Sequence, residues 1–114
     1  MLAIAVFTLA TAVIHIVYAF PTVMFIASGA GYLVLLAAFF LPALRSIRGL
    51  IGVALGLFAV GNIAAWYATG ARIPLAYLDK SFEAALLGAL AAYVVVSRRR
   101  SAVPVRVTPA APSR

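Results

Sequence analysis

Cysteine is absent from the chain, and only one histidine and two acidic residues occur among its 114 positions. Without cysteine there is no disulfide framework, thiolate metal site or thiol nucleophile. A single histidine and two carboxylates exclude most multi-ligand metal sites built within one chain. No hydrolase elbow, P-loop, dinucleotide fingerprint or zinc motif is present either. The expectation is therefore a non-enzymatic protein with no catalytic residue, metal or cofactor of its own. Charge of any kind is scarce, at 10% of residues against 67% hydrophobic ones, and the mean hydropathy is +1.17. So few polar residues cannot cover the surface of a soluble domain of this length, so the exterior must face something apolar, and lipid is the natural candidate.

What charge there is lies in telling places. The formal net charge is +7, and five of the nine basic residues (Arg98, Arg99, Arg100, Arg106, Arg114) fall in the last seventeen positions. Arg45 and Arg48 share one short connection. This distribution is a membrane-topology signal, with basic residues held at the cytoplasmic face, rather than a nucleic-acid footprint. A spanning helix needs about 20 mostly apolar residues, and four such windows fit: about 2–19, 22–44, 47–69 and 74–96. Phe20-Pro21 ends the first, Pro42 disturbs the last turn of the second, Gly70 ends the third, and Pro74 opens the fourth. The connections are too short for anything but antiparallel neighbours. The fold expected is an all-α membrane protein, four transmembrane helices in an up-down-up-down bundle over residues 1–97. Residues 98–114, basic and proline-rich, read as a disordered tail. Both termini are then cytoplasmic, in the plasma (inner) membrane of a prokaryote. Trp66, Tyr67 and Tyr77 sit near the outer helix ends as interfacial aromatics. Val17-Tyr18-Ala19 has the form of a cleavage site, but the basic region that precedes one is missing and the apolar stretch is long.

Polar groups inside a bilayer are costly and each requires an explanation. Counted from the outer end of its own helix, His15 is about five residues in, Ser28 about six, Asn62 about seven and Glu83 about eight, depths of roughly 7–12 Å. Asp79 and Lys80 lie just above this layer, Thr11 and Tyr32 just below it. Thr8, Thr11, His15 and Tyr18 form one stripe on the first helix; Asp79 and Glu83 share a face of the fourth, as Ser28 and Tyr32 do of the second. A bundle that turns these stripes inward joins His15, Tyr32, Asn62 and Glu83 into one hydrogen-bonded group. Two readings stand side by side: a proton or cation site centred on Glu83, or a set of interhelical bonds that hold the bundle together. His15 also admits a third reading as an axial ligand to haem or pigment.

The third helix carries Gly49, Gly52 and Gly56, a literal GxxxG, and the fourth carries Ala84, Gly88 and Ala92 with Ser81 and Ala85 on one side. Small residues allow close helix approach in membranes. On the fourth helix this side lies nearly opposite Asp79 and Glu83, so if the carboxylates face inward the small residues face outward and are free to receive another helix. Arg45, Arg48, Arg98, Arg99 and Arg100 are read as setting topology and touching anionic lipid headgroups.

Trp66-Tyr67, followed by Tyr77-Leu78-Asp79-Lys80-Ser81-Phe82-Glu83, resembles a pattern in uncharacterised four-helix membrane proteins of prokaryotes. These proteins are similar in length, with a histidine in the first helix and Tyr-x-Asp-Lys-x-x-Glu opening the fourth. The resemblance covers most of the chain except the tail and implies no activity. The small multidrug transporters share size and helix count, but their first-helix glutamate has no counterpart here, where His15 stands instead. From sequence, the leading expectation is a homo-oligomer or an accessory subunit of a larger membrane complex. A proton-coupled transporter or channel using Glu83 with His15 and Asp79 comes second.

Overall fold

The computed structural model describes residues 1–18, 23–70, 72–104 and 110–111, the side chain of Tyr18 excepted. The connection at Phe20-Pro21, the place of Tyr18 in the polar stripe, the possible cleavage site at Ala19, and Arg106 and Arg114 of the tail lie outside this description. Four α-helices and one 3-10 segment account for nearly all of it: α1 (Leu2–Tyr18), α2 (Val23–Phe40), the 3-10 segment (Pro42–Ile47), α3 (Arg48–Thr69) and α4 (Pro74–Ser101).

Proline and arginine decide the helix ends, and here the structure departs from the sequence reading. α2 stops at Phe40 rather than near position 44. Leu41 is extended (φ −64°, ψ 121°) because it precedes Pro42, and the chain then winds as a 3-10 helix. The Arg45-Ser46 connection is thus itself helical. α4 runs past position 96 to Ser101, so Arg98, Arg99 and Arg100 form its last turn rather than the start of a tail. Arginine is a good helix former, and cations at a helix C-terminus are favoured by the dipole. The turn closes with the Ala102 N–H donating to the Arg98 and Arg99 carbonyls, ahead of Pro104. At the other end, Pro74 occupies the first turn of α4, as its fixed φ favours.

The helices form a ring. α1 packs on α2 and α4, and α3 packs on the same two, while the α2–α4 diagonal is bridged by side chains that reach across the axis, Tyr32 to Glu83 and Phe39 to Tyr93. We call the end where α1 and α3 finish and α2 and α4 begin the upper end. There His15 meets Phe25, and Trp66 meets Tyr77 edge-on at 5.2 Å between ring centroids. The Arg72 guanidinium lies 4.4 Å from the Trp66 ring centroid and donates to the Tyr67 carbonyl. At the lower end Arg48 donates to the Phe39 carbonyl at 2.8 Å, satisfying a group that the end of α2 leaves open.

The helices are inside-out relative to a soluble bundle. On α1 the outward stripe is Leu2, Val6, Leu9, Val13 and Val17, all exposed, while Thr8, Thr11 and His15 are buried. α2, the 3-10 segment with α3, and α4 are each long and apolar enough to cross a membrane; α1 is a shorter apolar helix. Its 17 residues rise about 26 Å, a turn short of a typical hydrocarbon thickness.

The interior has two layers. In the lower half Ile4, Leu36, Phe39, Leu55, Leu86 and Leu90 are buried together. In the upper half the larger buried side chains carry polar groups (Thr11, His15, Tyr32, Asp79 and Glu83), together with the small Ala12 and Ala59. The glycines serve this packing unequally. Gly52 and Gly56 face Phe39, Leu87 and Leu90 within the ring, while Gly49 and Gly88 face open space. Ala84, Gly88 and Ala92 are exposed. A closer approach, which the spacing does not reveal, occurs at Gly29, where a Cβ would sit 3.0 Å from the backbone oxygen of Ala12.

Candidate functional site

α1, α2 and α4 each turn one polar stripe toward the axis at the upper end, and their side chains meet. Thr11 donates to Asp79 Oδ1 at 2.6 Å. His15 Nδ1 lies 3.4 Å from the same oxygen and 2.9 Å from the Thr11 carbonyl. A carbonyl only accepts, so this ring nitrogen carries a proton. The Lys80 ammonium bridges both carboxylates, 3.1 Å from Asp79 Oδ2 and 2.6 Å from Glu83 Oε2. The Tyr32 hydroxyl donates to Glu83 Oε1 at 2.6 Å. The result is a continuous chain from His15 through Asp79, Lys80 and Glu83 to Tyr32.

The burial of this chain is nearly complete: Glu83 is 0% exposed, His15 3%, and the Lys80 side chain, its most accessible member, 12%. No buried side-chain N or O atom among the described residues lacks a partner. Asp79 lies five residues into α4 and Glu83 nine, depths of about 8 and 14 Å. Beneath Glu83 and Tyr32 the apolar layer begins, so the polar chain ends near mid-height. The Tyr32 ring is held edge-on to Phe58 at 4.9 Å, and His15 lies between Phe25 and Tyr32, 5.9 Å from each.

Every histidine, aspartate, glutamate and lysine of the sequence is in this cluster. One histidine and two carboxylates argued against a metal site within one chain. The fold nevertheless gathers all three, with one potential ligand atom from each of His15, Asp79 and Glu83 within 4.8 Å of the others.

Two residues of the expected polar layer stand apart. Asn62 donates to the Phe58 carbonyl one turn back on its own helix. Ser28 is half-buried and makes no bond to the cluster among the described residues. Among the described residues α3 therefore contributes the Phe58 ring to the site. Thr11, read as lying below the layer, is a direct partner of Asp79. Its stripe with His15 was visible in the sequence, but its partner on α4 was not. Lys80, read as lying just above the layer, turns inward and contacts both carboxylates. His15 is almost wholly buried, and the sequence holds no second histidine to complete a bis-histidine haem site within one chain.

No protein-family model matches this chain, and comparison with curated proteins and with solved structures found no match.

Proposed function

We propose that this is a small integral membrane transporter whose coupling or transported cation is held at the Asp79–Glu83 carboxylates. The observation that carries the reading is charge balance. Two buried carboxylates face one ammonium, so with a neutral imidazole the cluster is one positive charge short. An uncompensated charge in an apolar interior is costly, and the binding of one more cation relieves it. Intramembrane ionisable groups mark ion pathways more often than not. The apolar layer beneath argues for a carrier rather than an open channel, since among the described residues the buried polar group on the stripe below Thr11 is Thr8, whose hydroxyl donates to the Ile4 carbonyl of its own helix.

In this reading all four helices cross the bilayer up-down-up-down. The short α1 is included because its outward stripe is wholly apolar. Arg45, Arg48 and Arg98–Arg100 lie at the lower end, so the positive-inside rule makes that end cytoplasmic, with both termini and with anionic headgroups beside the arginines. The cluster then loads from the outer side, past Lys80. In protein-loaded vesicles, an imposed proton or manganese gradient should dissipate well above the rate of protein-free vesicles. Glu83→Gln, which preserves shape and removes charge, should abolish that flux. No flux of either ion through the wild-type protein would sink the proposal.

A second reading, as a homo-oligomer or accessory subunit, is favoured by one observation: the exposed Ala84, Gly88 and Ala92 lie on the side of α4 away from the buried carboxylates. In mild detergent the native mass should then exceed that of one chain, and Gly88→Leu should reduce it to the monomer. A wild-type monomer without a stoichiometric partner would remove this reading.

A further inference from the structure

The cation reading leaves the ion unspecified, and the donors narrow it. We infer that the cluster is a divalent transition-metal site, with His15, Asp79 and Glu83 as ligands and the Lys80 ammonium as an internal stand-in for the metal. This rests on the carboxylates being a cation site, and adds the class of ion.

Three features carry it. The first is the donor set. An imidazole nitrogen beside two carboxylate oxygens suits zinc, manganese, iron or cobalt; magnesium and calcium favour all-oxygen shells. The ligand atoms lie within 4.8 Å of one another, compact enough that small side-chain movements place them around one ion at the usual distance of about 2 Å. The second is the position already taken by a cation. Lys80 Nζ contacts an oxygen of each carboxylate, so the carboxylates are already arranged around positive charge. Its side chain is also the most accessible of the ionic members, at 12%, and its long stem starts near the upper end of α4. It can withdraw toward the interface, as lysines near helix ends do.

The third feature is charge. With Lys80 withdrawn and the imidazole neutral, a divalent ion and two carboxylates sum to zero. A monovalent ion in the same place leaves the site negative. On binding, Asp79 and Glu83 exchange the ammonium for the metal, and the ammonium keeps its proton. His15 coordinates through Nδ1, the ring nitrogen nearest Asp79, and its proton moves to the other ring nitrogen. The Thr11 hydroxyl continues to orient Asp79, and the Tyr32 hydroxyl to orient Glu83. Such hydrogen bonds to ligands fix the geometry of metal sites.

The test is a titration of the full-length protein in detergent with cobalt(II) alone, read by visible ligand-field absorption and by the shift in thermal unfolding. The wild type should bind one ion per chain and unfold at higher temperature when loaded. Lys80→Met removes the internal competitor and should tighten binding by about tenfold or more, the scale of one nearby like charge. His15→Phe should lose the nitrogen-ligand component of the spectrum and bind weakly. If Lys80→Met does not fold, the wild-type titration decides alone. Absence of saturable cobalt binding in the folded wild type and in any folded Lys80→Met overturns the inference. So does wild-type binding that His15→Phe leaves unchanged. Proton flux in vesicles without cobalt binding would remove the metal and leave the cation carrier standing. Cobalt binding without any flux would keep the site and remove transport.

Discussion

Glu83→Ala is expected to destabilise the protein by about 3–5 kcal/mol, the scale for removing one member of a buried ion pair. Glu83 accepts from both Tyr32 and Lys80 and is wholly enclosed. Its deletion strands a buried hydroxyl and leaves the ammonium on Asp79 alone. The cost comes mostly from the partners left behind, so removing them as well should recover it. Glu83→Leu combined with Lys80→Leu and Tyr32→Phe should lie within about 1–2 kcal/mol of the wild type, as apolar replacements of buried ionic groups commonly do. Denaturant-driven unfolding in detergent, followed by circular dichroism, measures both. A loss below about 1 kcal/mol for Glu83→Ala would mean that water reaches the carboxylate and that the cluster is wet.

The second large effect is expected at Gly29→Val. A Cβ there meets Ile16, a side chain that can move, and the Ala12 backbone oxygen at 3.0 Å, which cannot move without shifting α1. Overpacking of this kind costs about 1–3 kcal/mol. The displacement falls within one turn of Thr11 and His15, both contacts of Asp79. Gly29→Val should therefore lower stability and also disrupt the cluster. By contrast Gly88→Val, facing open space, should leave the fold of a single chain nearly unchanged. Equal unfolding midpoints for the two variants would show that α1 and α2 are not held by this approach.

The contrast between these positions marks how far the sequence could be read. Apolar length gave the four helices, and the first-turn preference of proline gave the start of α4 at Pro74. The ends of α2 and α4 were missed for local reasons. Pro42 forces extended backbone on Leu41 and ends α2 outright instead of fraying it. The triple arginine continues α4 because cations suit a helix C-terminus.

In the site, helical spacing placed Asp79 with Glu83 and Thr11 with His15, since residues three or four apart share a face. It could not give the rotation and axial offset of one helix against another. The pairing of Thr11 with Asp79, 68 positions apart, depends on that offset, and so does the approach at Gly29. Asn62 was misplaced because a side-chain amide can bond the carbonyl one turn back on its own helix. Lys80 was placed just above the layer, at the right height, but its contacts could not be read from spacing. Two carboxylates within reach hold it inward.

The central claim is a charged cluster reached from the outer side above a sealed apolar layer, and the absence of native cysteine gives it a clean test. Single variants Lys80→Cys, Leu90→Cys and Ser101→Cys are treated in intact cells with a membrane-impermeant thiol reagent, and again in inverted membranes. Position 80 should label from outside, position 101 only from the cytoplasmic side, and position 90 from neither. Labelling of position 80 from the cytoplasmic side alone, or of position 101 from outside, would contradict the claim.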